Sequence, residues 1–142
     1  MKYLKFMPFN TVSNASRNRR ELAAAAEYGF EAYCYSSDRV PPENVKGNPF
    51  SLICDDTPIP ILDPSIPHMV RILRVFRNML QHARKLRALR MDVISCHNIK
   101  SLATAYLAYW YYPPKKRPAL IYDSHELELA RKPRSPRRKP GR

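Results

Sequence analysis

Short apolar runs alternate with longer amphipathic stretches along this chain of 142 residues. Apolar runs of about four to eight residues, bounded by proline, glycine or polar residues, are typical of buried strands. The sequence contains such runs at 3–9, 30–36, 50–55, 92–97 and 119–123. We therefore predict five strands.

Helical stretches separate most of these runs. The first helical stretch has Ser13 or Asn14 as a candidate N-cap, an alanine-rich middle, and Gly29 where a C-terminal cap belongs. Another begins after Asn98, which is also a candidate cap, and ends before Pro113. Both stretches are predicted to be helices between neighbouring strands.

The longest predicted helix runs from about residue 66 to residue 90. Apolar residues recur in it at intervals of three and four and form a stripe of Met69, Leu73, Phe76, Leu80, Ala83 and Leu86. Its other faces carry Arg71, Arg74, Arg77, Arg84, Lys85, Arg87 and Arg90. These cations favour a solvated face over a nucleic-acid-binding stripe, because no aromatic residues that could stack on bases lie between them.

The alternation of strands and helices predicts the α/β class, with a Rossmann-like parallel sheet and helices on both of its faces. Residues 1–129 are predicted to form one domain. Residues 130–142 are predicted to be a disordered basic Arg/Pro tail, since no apolar residue follows Ala130. No apolar run reaches the roughly 18 residues that a membrane-spanning helix needs.

The net charge of +13 is unevenly distributed. Residues 131–142 contain seven cations and no acid, so the remaining 130 residues carry +13 less +7, or +6. A basic protein favours phosphate-bearing partners, which include nucleic acids, anionic lipids and phosphorylated sugars. Charge alone leaves all three open.

Cysteine and glycine usage narrows the chemistry. Cys34, Cys54 and Cys96 lie in apolar stretches without Cys-x-x-Cys spacing. We expect buried, reduced thiols rather than a disulfide framework or a zinc site, which predicts a cytoplasmic location and no metal. The three glycines are too few and too dispersed for a dinucleotide-binding fingerprint or a P-loop, and no cofactor is predicted.

Candidate site residues lie where the predicted strands end, because ligands of an open parallel sheet bind outside the carboxyl ends of its strands. His97 ends the fourth strand, and His125 follows the fifth within an Asp-Ser-His-Glu cluster. The start of the first helix opens onto the same edge, and a helix N-terminus favours anions. The predicted substrate-binding residues are Asn10, Asn14, Arg17, His97, Asn98, Asp123, Ser124 and Glu126.

These residues also have structural interpretations. A single histidine after a strand is more often structural than catalytic, and this applies more strongly to His97 than to His125. Asp123 and Ser124 could instead cap a turn. The arginines at the start of the first helix could form a solvated face.

The end of the third predicted helix combines aromatic and basic residues. Aromatic rings at headgroup level and cations on anionic lipid suit contact with a membrane surface. We therefore predict a membrane interface, with peripheral attachment to the inner membrane face, formed by Trp110, Tyr111, Lys115, Lys116 and Arg117. In the alternative, half of the rings belong to the core and the basic residues only end the helix.

Two motifs resemble the N-terminal domain of family 4 glycosyltransferases, which have the GT-B architecture. The strand "DVISCH" at 92–97 resembles the family's D-V-[IV]-x-x-H motif, and "YDSHE" at 122–126 resembles its Y-D-[SA]-H-E motif. The stretch "RNRRELAAAAEYGFEAYCYS" also looks like the first helix and second strand of that domain. The similarity covers about residues 1–129.

The resemblance implies one Rossmann-like half of a two-domain enzyme, with the acceptor bound on its cleft side. It implies that His125 is the catalytic residue near the donor sugar and its diphosphate, and that His97 lines the same cleft. The implied reaction is metal-free transfer of a hexose from a nucleotide diphosphate sugar to a hydroxyl of a glycan or lipid-linked acceptor. The departing diphosphate would be stabilised electrostatically.

Two features depart from that family's pattern. The segment "PFNTVSNAS" lacks the glycine-rich loop that many members have after the first strand, and the 142 residues include no nucleotide-sugar-binding domain. We therefore expect a truncated or frameshifted product that is inactive without a complementing C-terminal domain. The alternative function is a basic nucleic-acid-binding protein that uses the Arg-rich helix and the tail.

Overall fold

The computed structural model describes residues 1–11, 16–39, 43, 47–57 and 65–123. The elements are β1 (Lys2–Met7), α1 (Ser16–Glu27), β2 (Glu31–Ser36), β3 (Ser51–Cys54), α2 (His68–Leu89), β4 (Val93–Cys96), α3 (Ile99–Trp110) and β5 (Ala119–Tyr122). A short 3-10 turn, Pro114–Lys116, lies between α3 and β5. Every predicted strand and helix is present within a few residues of its predicted ends. The candidate N-caps of α1, Ser13 and Asn14, lie outside the described residues.

The five strands form one parallel sheet in the order β3-β2-β1-β4-β5. β1 lies at the centre of the sheet, with β2 and β3 on one side of it and β4 and β5 on the other. The order of the strands along the chain therefore reverses its direction between β1 and β4, where Lys5 is in register with Ser95. The gap beyond the carboxyl ends of these two strands is the topological switch point, at which such sheets bind ligands. The predicted Rossmann-like α/β class is confirmed.

Side chains alternate between the two faces of the sheet along each strand, so each face has its own core. Helices cover both faces. The α1 face buries a core of Tyr3, Met7, Leu22, Ala32, Cys34 and Phe50. The opposite face, under α2 and α3, buries a larger core that includes Leu4, Phe6, Tyr35, Ala83, Leu86, Ile94, Cys96, Ala105 and Ala108. Cys34, Cys54 and Cys96 are free thiols; Cys34 and Cys96 are buried, as expected, whereas Cys54 is half-buried.

Helix α1 ends as its sequence predicts. Gly29 has a φ of 84°, a left-handed conformation that glycine adopts without steric cost. The N–H groups of Gly29 and Phe30 donate to Ala26 O and Ala25 O, which caps the last turn. This cap turns the chain directly into β2 and keeps α1 over β1 and β2.

The apolar stripe of α2 is buried only in the C-terminal half of the helix. Ala83 and Leu86 are 1% and 0% exposed, whereas Met69 and Leu73 are 66% and 61% exposed. The first turns of α2 thus lie beside the core rather than on it, an outcome that periodicity alone does not predict. Arg74, Arg77, Arg84, Arg87 and Arg90 are exposed, in agreement with the solvated-face interpretation.

Candidate functional site

A lysine lies fully buried in the middle of β1. Lys5 Nζ is 2.6 Å from Glu21 Oε2, 2.7 Å from Asp123 Oδ2 and 3.2 Å from Ser95 Oγ. The ammonium group has three N–H donors, and each has an acceptor here. A buried charge is tolerated only when it is paired in this way, so α1, β4 and the end of β5 are all required to keep Lys5 inside the sheet.

The two carboxylates of this cluster have further partners. Ser95 Oγ donates to Glu21 Oε1 at 3.0 Å, and the hydroxyl of Tyr3 donates to the same oxygen. Burial, followed by the hydrogen bond to Glu21, raises the pKa of Tyr3 above its usual value. Arg17 Nη2 lies 3.3 Å from Asp123 Oδ1. The cluster therefore connects the sheet interior to the first turn of α1.

An amide and an imidazole meet at the switch point itself. Asn18 Nδ2 lies 3.1 Å from Nδ1 of His97, the residue that follows β4. Because an amide N–H can only donate, this contact requires Nδ1 of the ring to accept. Asn18 is 1% exposed, and its Oδ1 has no hydrogen-bond partner among the described residues. A buried acceptor of this kind is unusual and is a candidate ligand contact.

An open groove lies along the side of α1, next to the buried Lys5 cluster. Helix α1 covers β1 and β2, whereas the same face of β4 and β5 has no described helix over it. The groove has a volume of about 630 Å³ and is lined by Arg17, Arg20, Glu21, Ser95, Ile121, Tyr122 and Asp123. Two guanidinium groups and two carboxylates thus border one concave surface, which suits a ligand with both phosphate and hydroxyl groups.

The structure brings part of the predicted site together. Arg17 and Asp123 are in direct contact, and His97 lies on the same edge, linked to α1 through Asn18. Asn14, Ser124, His125 and Glu126 lie outside the described residues, so their roles, including catalysis by His125, stay predictions.

Two other predicted site residues have clear structural roles. Asn98 Oδ1 accepts hydrogen bonds from Ser101 N at 2.8 Å and Ser101 Oγ at 3.0 Å, which makes Asn98 the N-cap of α3. The Asn10 N–H donates to Met7 O at 3.1 Å, and its carbonyl accepts from Ser37 N at 3.0 Å. Asn10 therefore joins the turn after β1 to the end of β2.

Four residues at the site were not predicted from the sequence: Lys5, Asn18, Glu21 and Ser95. Only Lys5 carries a visible signal, because a lysine interrupts the apolar run "YLKFM". A central parallel strand is buried on both faces, so a cation within it requires buried partners.

A second polar cluster lies on the opposite face, between α2 and the end of β3. His82 Nδ1 is 3.0 Å from both Asp55 Oδ2 and the Tyr35 hydroxyl. Burial lowers the pKa of His82, although Asp55 opposes this effect. Burial alone would raise the pKa of Asp55, but hydrogen bonds from Lys85 and Thr57 outweigh it and lower that pKa. His82 and Asp55 are closed to solvent, so the pair fastens α2 to the sheet rather than binding a ligand.

The predicted membrane-interface residues lie together at the end of α3 and in the following turn: Trp110, Tyr111, Lys115, Lys116 and Arg117. Trp110 is 61% exposed and Tyr111 is 56% exposed. Arg117 Cζ stands 4.8 Å from the centroid of the Tyr109 ring and 5.3 Å from that of Trp110. Tyr112, by contrast, is buried, so the surface and core interpretations each account for part of this segment.

Comparison of the chain with protein-family models, with curated proteins and with solved structures gives no match. Within the described ranges, no three His, Cys, Asp or Glu side chains are arranged to hold a metal ion. None of the helices in the same ranges is long and apolar enough to cross a bilayer. The fold and the site geometry define a Rossmann-like α/β domain with a polar edge at its switch point.

Proposed function

We propose that this domain forms the acceptor-side wall of a glycosyltransferase cleft. The observation that carries the proposal is the set of polar groups at the switch point, where Asn18 contacts His97 and Arg17 contacts Asp123. The buried Asn18 Oδ1 has no hydrogen-bond partner among the described residues. A ligand hydroxyl would supply the missing donor. The sequence motifs at 92–97 and 122–126 resemble the same class of enzyme.

The side-chain chemistry supports sugar and phosphate ligands. Carboxylate, imidazole and amide groups exchange hydrogen bonds with sugar hydroxyls, whereas a guanidinium matches the geometry of a phosphate. Arg17 and Arg20 border the groove together with Glu21 and Asp123. Cations and acceptors that lie side by side in one groove fit a ligand with a diphosphate and neighbouring sugar hydroxyls, as in a nucleotide sugar.

In the proposed reaction, the acceptor hydroxyl oxygen forms a bond to the anomeric carbon as the bond from that carbon to the diphosphate breaks. The nucleoside diphosphate departs with the bonding electron pair, and the hydroxyl proton is released. By the resemblance, His125 contacts the reacting groups, and cations stabilise the charge that develops on the diphosphate. The hexose, the nucleotide and the acceptor are left open by this chemistry.

A single wall leaves a bound donor exposed to water, and transfer depends on a closed and oriented site. We therefore propose that these 142 residues need a second domain for turnover, whether on the same polypeptide or on another chain. Binding, rather than turnover, is the appropriate first test.

Saturation-transfer NMR with UDP-glucose, GDP-mannose and the methyl glycosides of glucose and mannose would test this binding. We expect weak, saturable binding of at least one of these compounds. Substitution of Arg17→Ala or His97→Ala should weaken it about tenfold, as expected for loss of a hydrogen bond to a charged or buried group. Arg77→Ala, a cation on the other face, is the matched control. Absence of binding, or equal binding by all variants, would contradict the proposal.

We also propose that the end of α3 contacts anionic membranes. The specific observation is the exposure of Trp110 and Tyr111 beside Lys115 and Lys116. Exposed aromatic rings beside cations suit the headgroup region of an anionic bilayer. Co-sedimentation with vesicles should require anionic lipid and should be lost in Trp110→Ala/Tyr111→Ala. Equal sedimentation of this variant and the wild type would refute the contact.

A further inference from the structure

A basic pocket lies at the edge of the sheet opposite the proposed cleft, where β4 begins. It is formed between the C-terminal end of α2 and the segment that follows α3, and its volume is about 560 Å³. Volumes of this size are typical of ligand sites. The cations that line it are Arg87, Arg90, Lys115, Lys116 and Arg117.

The charge of this pocket is unbalanced. Asp92 is the one acid among the described lining residues, and its Oδ2 accepts from the backbone N–H of Lys2 at 2.7 Å. Arg87 and Arg90 have a partial structural explanation, since cations at a helix C-terminus complement the helix dipole. Lys115 and Lys116 belong to a separate 3-10 turn of three residues and not to α2. Five cations in one concavity repel each other, and a bound anion would relieve that repulsion.

Arg90 occupies a backbone position that ordinarily belongs to glycine. Its φ of 49° and ψ of 56° are left-handed, and it is the one non-glycine residue with positive φ among those described. Gly29 has the corresponding place after α1. Non-glycine residues keep strained backbone conformations only where the surrounding structure imposes them, and such residues cluster at functional sites. Here, the conformation coincides with an arginine that lines the pocket.

Two other groups in the pocket are held in place. The buried Tyr112 hydroxyl lies 3.1 Å from Leu86 O and 3.2 Å from Arg87 O, which fixes the last turn of α2 against the pocket floor. The Arg117 guanidinium lies over the Tyr109 and Trp110 rings, and its Nε is buried without a hydrogen-bond partner among the described residues. A donor that is positioned in advance in this way loses little freedom when an anion binds.

We propose that this pocket binds a phosphate group. Phosphate is a multiply charged anion with several acceptor oxygens, so it can engage guanidinium and ammonium groups from both segments at once. The group could belong to a soluble phosphorylated compound or to the headgroup of an anionic lipid. Exposed Trp110 and Tyr111 beside the pocket favour the lipid source, and only this choice of source rests on the proposed membrane contact. The site is independent of sugar transfer.

Trp110 is the single tryptophan of the chain and stacks on Arg117, so its fluorescence reports on the pocket. Titration of the full chain with pyrophosphate, at constant ionic strength set with sodium chloride, should give a saturable change. Lys115→Gln should raise the dissociation constant about tenfold, because one close charge interaction is lost. Arg77→Gln should leave it unchanged, since residues 77 and 87 are about 15 Å apart along α2, beyond the screening length.

Arg90→Gly is the decisive variant, because its effects on stability and binding have opposite signs. Glycine relieves the left-handed backbone, so the melting temperature should rise by about 3 °C. Binding of pyrophosphate should nevertheless weaken about tenfold, which excludes unfolding as the cause. A wild-type response that does not saturate, or equal weakening in Arg77→Gln, would overturn the proposal, since either result indicates diffuse charge rather than a site.

Vesicles distinguish the two sources of the phosphate. Binding that requires phosphatidic acid in phosphatidylcholine vesicles, and that is lost in Arg90→Gly, assigns the pocket to a lipid headgroup. Pyrophosphate binding without vesicle binding assigns it to a soluble compound. Vesicle binding that is lost in Trp110→Ala but kept in both Arg90→Gly and Lys115→Gln would support the membrane contact and, if pyrophosphate binding is also unchanged in these two variants, would overturn the pocket.

Discussion

Lys5 Nζ lies 2.7 Å from Asp123 Oδ2, so the middle of the central strand is bonded to the residue that directly follows the edge strand β5. Glu21 of α1 is the second carboxylate on the same ammonium, at 2.6 Å. The three groups hold α1 against the sheet at a defined position. This position brings Arg17 to Asp123 and Asn18 to His97, so the buried cluster sets the geometry of the proposed ligand edge.

Replacement of Lys5 by methionine should strongly destabilise the domain. The substitution removes the ammonium and leaves two carboxylates facing each other without their shared partner. Loss of one member of a buried ionic group costs about 3–5 kcal/mol. The free energy of unfolding, measured by urea denaturation, should fall by about this amount, whereas Lys2→Met on the exposed end of the same strand should change it by about 0.5 kcal/mol or less.

The double variant Lys5→Met/Glu21→Gln separates electrostatics from packing. Neutralising one of the stranded carboxylates should recover part of the lost stability, so the two substitutions should be non-additive. Additive effects would show that Lys5 contributes through its aliphatic stem alone. A loss of under about 1 kcal/mol in Lys5→Met would contradict the buried ionic cluster.

His82 should make stability depend on pH below neutrality. Its folded-state pKa is lowered from 6.5, chiefly by burial. As pH falls through 6.5, the unfolded chain binds a proton at His82 that the native state does not, so stability declines by up to about 1.4 kcal/mol per pH unit. The lowered pKa of Asp55 acts in the same direction, but in the window below 3.8.

Urea denaturation of the wild type and of His82→Gln between pH 7.5 and about pH 5 would measure this contribution. The variant should be less stable at pH 7.5 and should have a shallower slope. Asn78→Ala, which removes a buried polar side chain one turn earlier on α2, is the control and should keep the wild-type slope. Equal slopes in wild type and His82→Gln would refute the role of His82.

Two substitutions of Asn98 separate its capping role from its predicted ligand-binding role. Asn98→Ala removes the acceptor for Ser101 N–H and should cost about 1 kcal/mol of stability, whereas Asn98→Asp keeps an acceptor and should cost much less. If Asn98 also contacts the ligand, Asn98→Asp should weaken sugar binding although it preserves stability. Unchanged binding in a stable Asn98→Asp variant would limit this residue to the cap.

Removal of residues 131–142 should distinguish the proposed functions from the nucleic-acid alternative. This segment carries seven cations and lies outside the described residues. Nucleic-acid binding that depends on it should collapse, because such binding scales with the number of phosphates neutralised. Sugar and vesicle binding by the described domain should persist. A persistent, strongly salt-dependent affinity for nucleic acid after the deletion would favour the Arg-rich face of α2 instead.

Local sequence patterns were sufficient to predict the secondary-structure elements and their order along the chain. The run "VISC" and the cap at Asn98 each depend on neighbouring residues, and the parallel sheet follows from the alternation of strand and helix. The partners of Lys5 could not be predicted in this way, because Asp123 is 118 residues away in the chain. The periodicity of the sequence also could not predict the exposed start of α2, because the same apolar stripe is buried at one end of the helix and exposed at the other.

The basic pocket illustrates the same limit. Lys115, Lys116 and Arg117 were recognised as a group because they are consecutive in the sequence. Arg87 and Arg90 belong to another helix, and only the tertiary packing of Tyr112 on the end of α2 brings the two groups together. The left-handed backbone of Arg90 has no sequence signal, because glycine is the residue expected there.

The long separation of Lys5 and Asp123 has a consequence for synthesis on the ribosome. The ammonium of Lys5 leaves the exit tunnel well before its partners, because Ser95 of β4 and Asp123 follow 90 and 118 residues later. Until then, β1 can pair only with β2, and its other edge is open. Non-local pairing of this kind slows folding and exposes unpaired strand edges to aggregation. Nascent chains of this protein should therefore be most prone to aggregation until β4 has emerged and paired with β1.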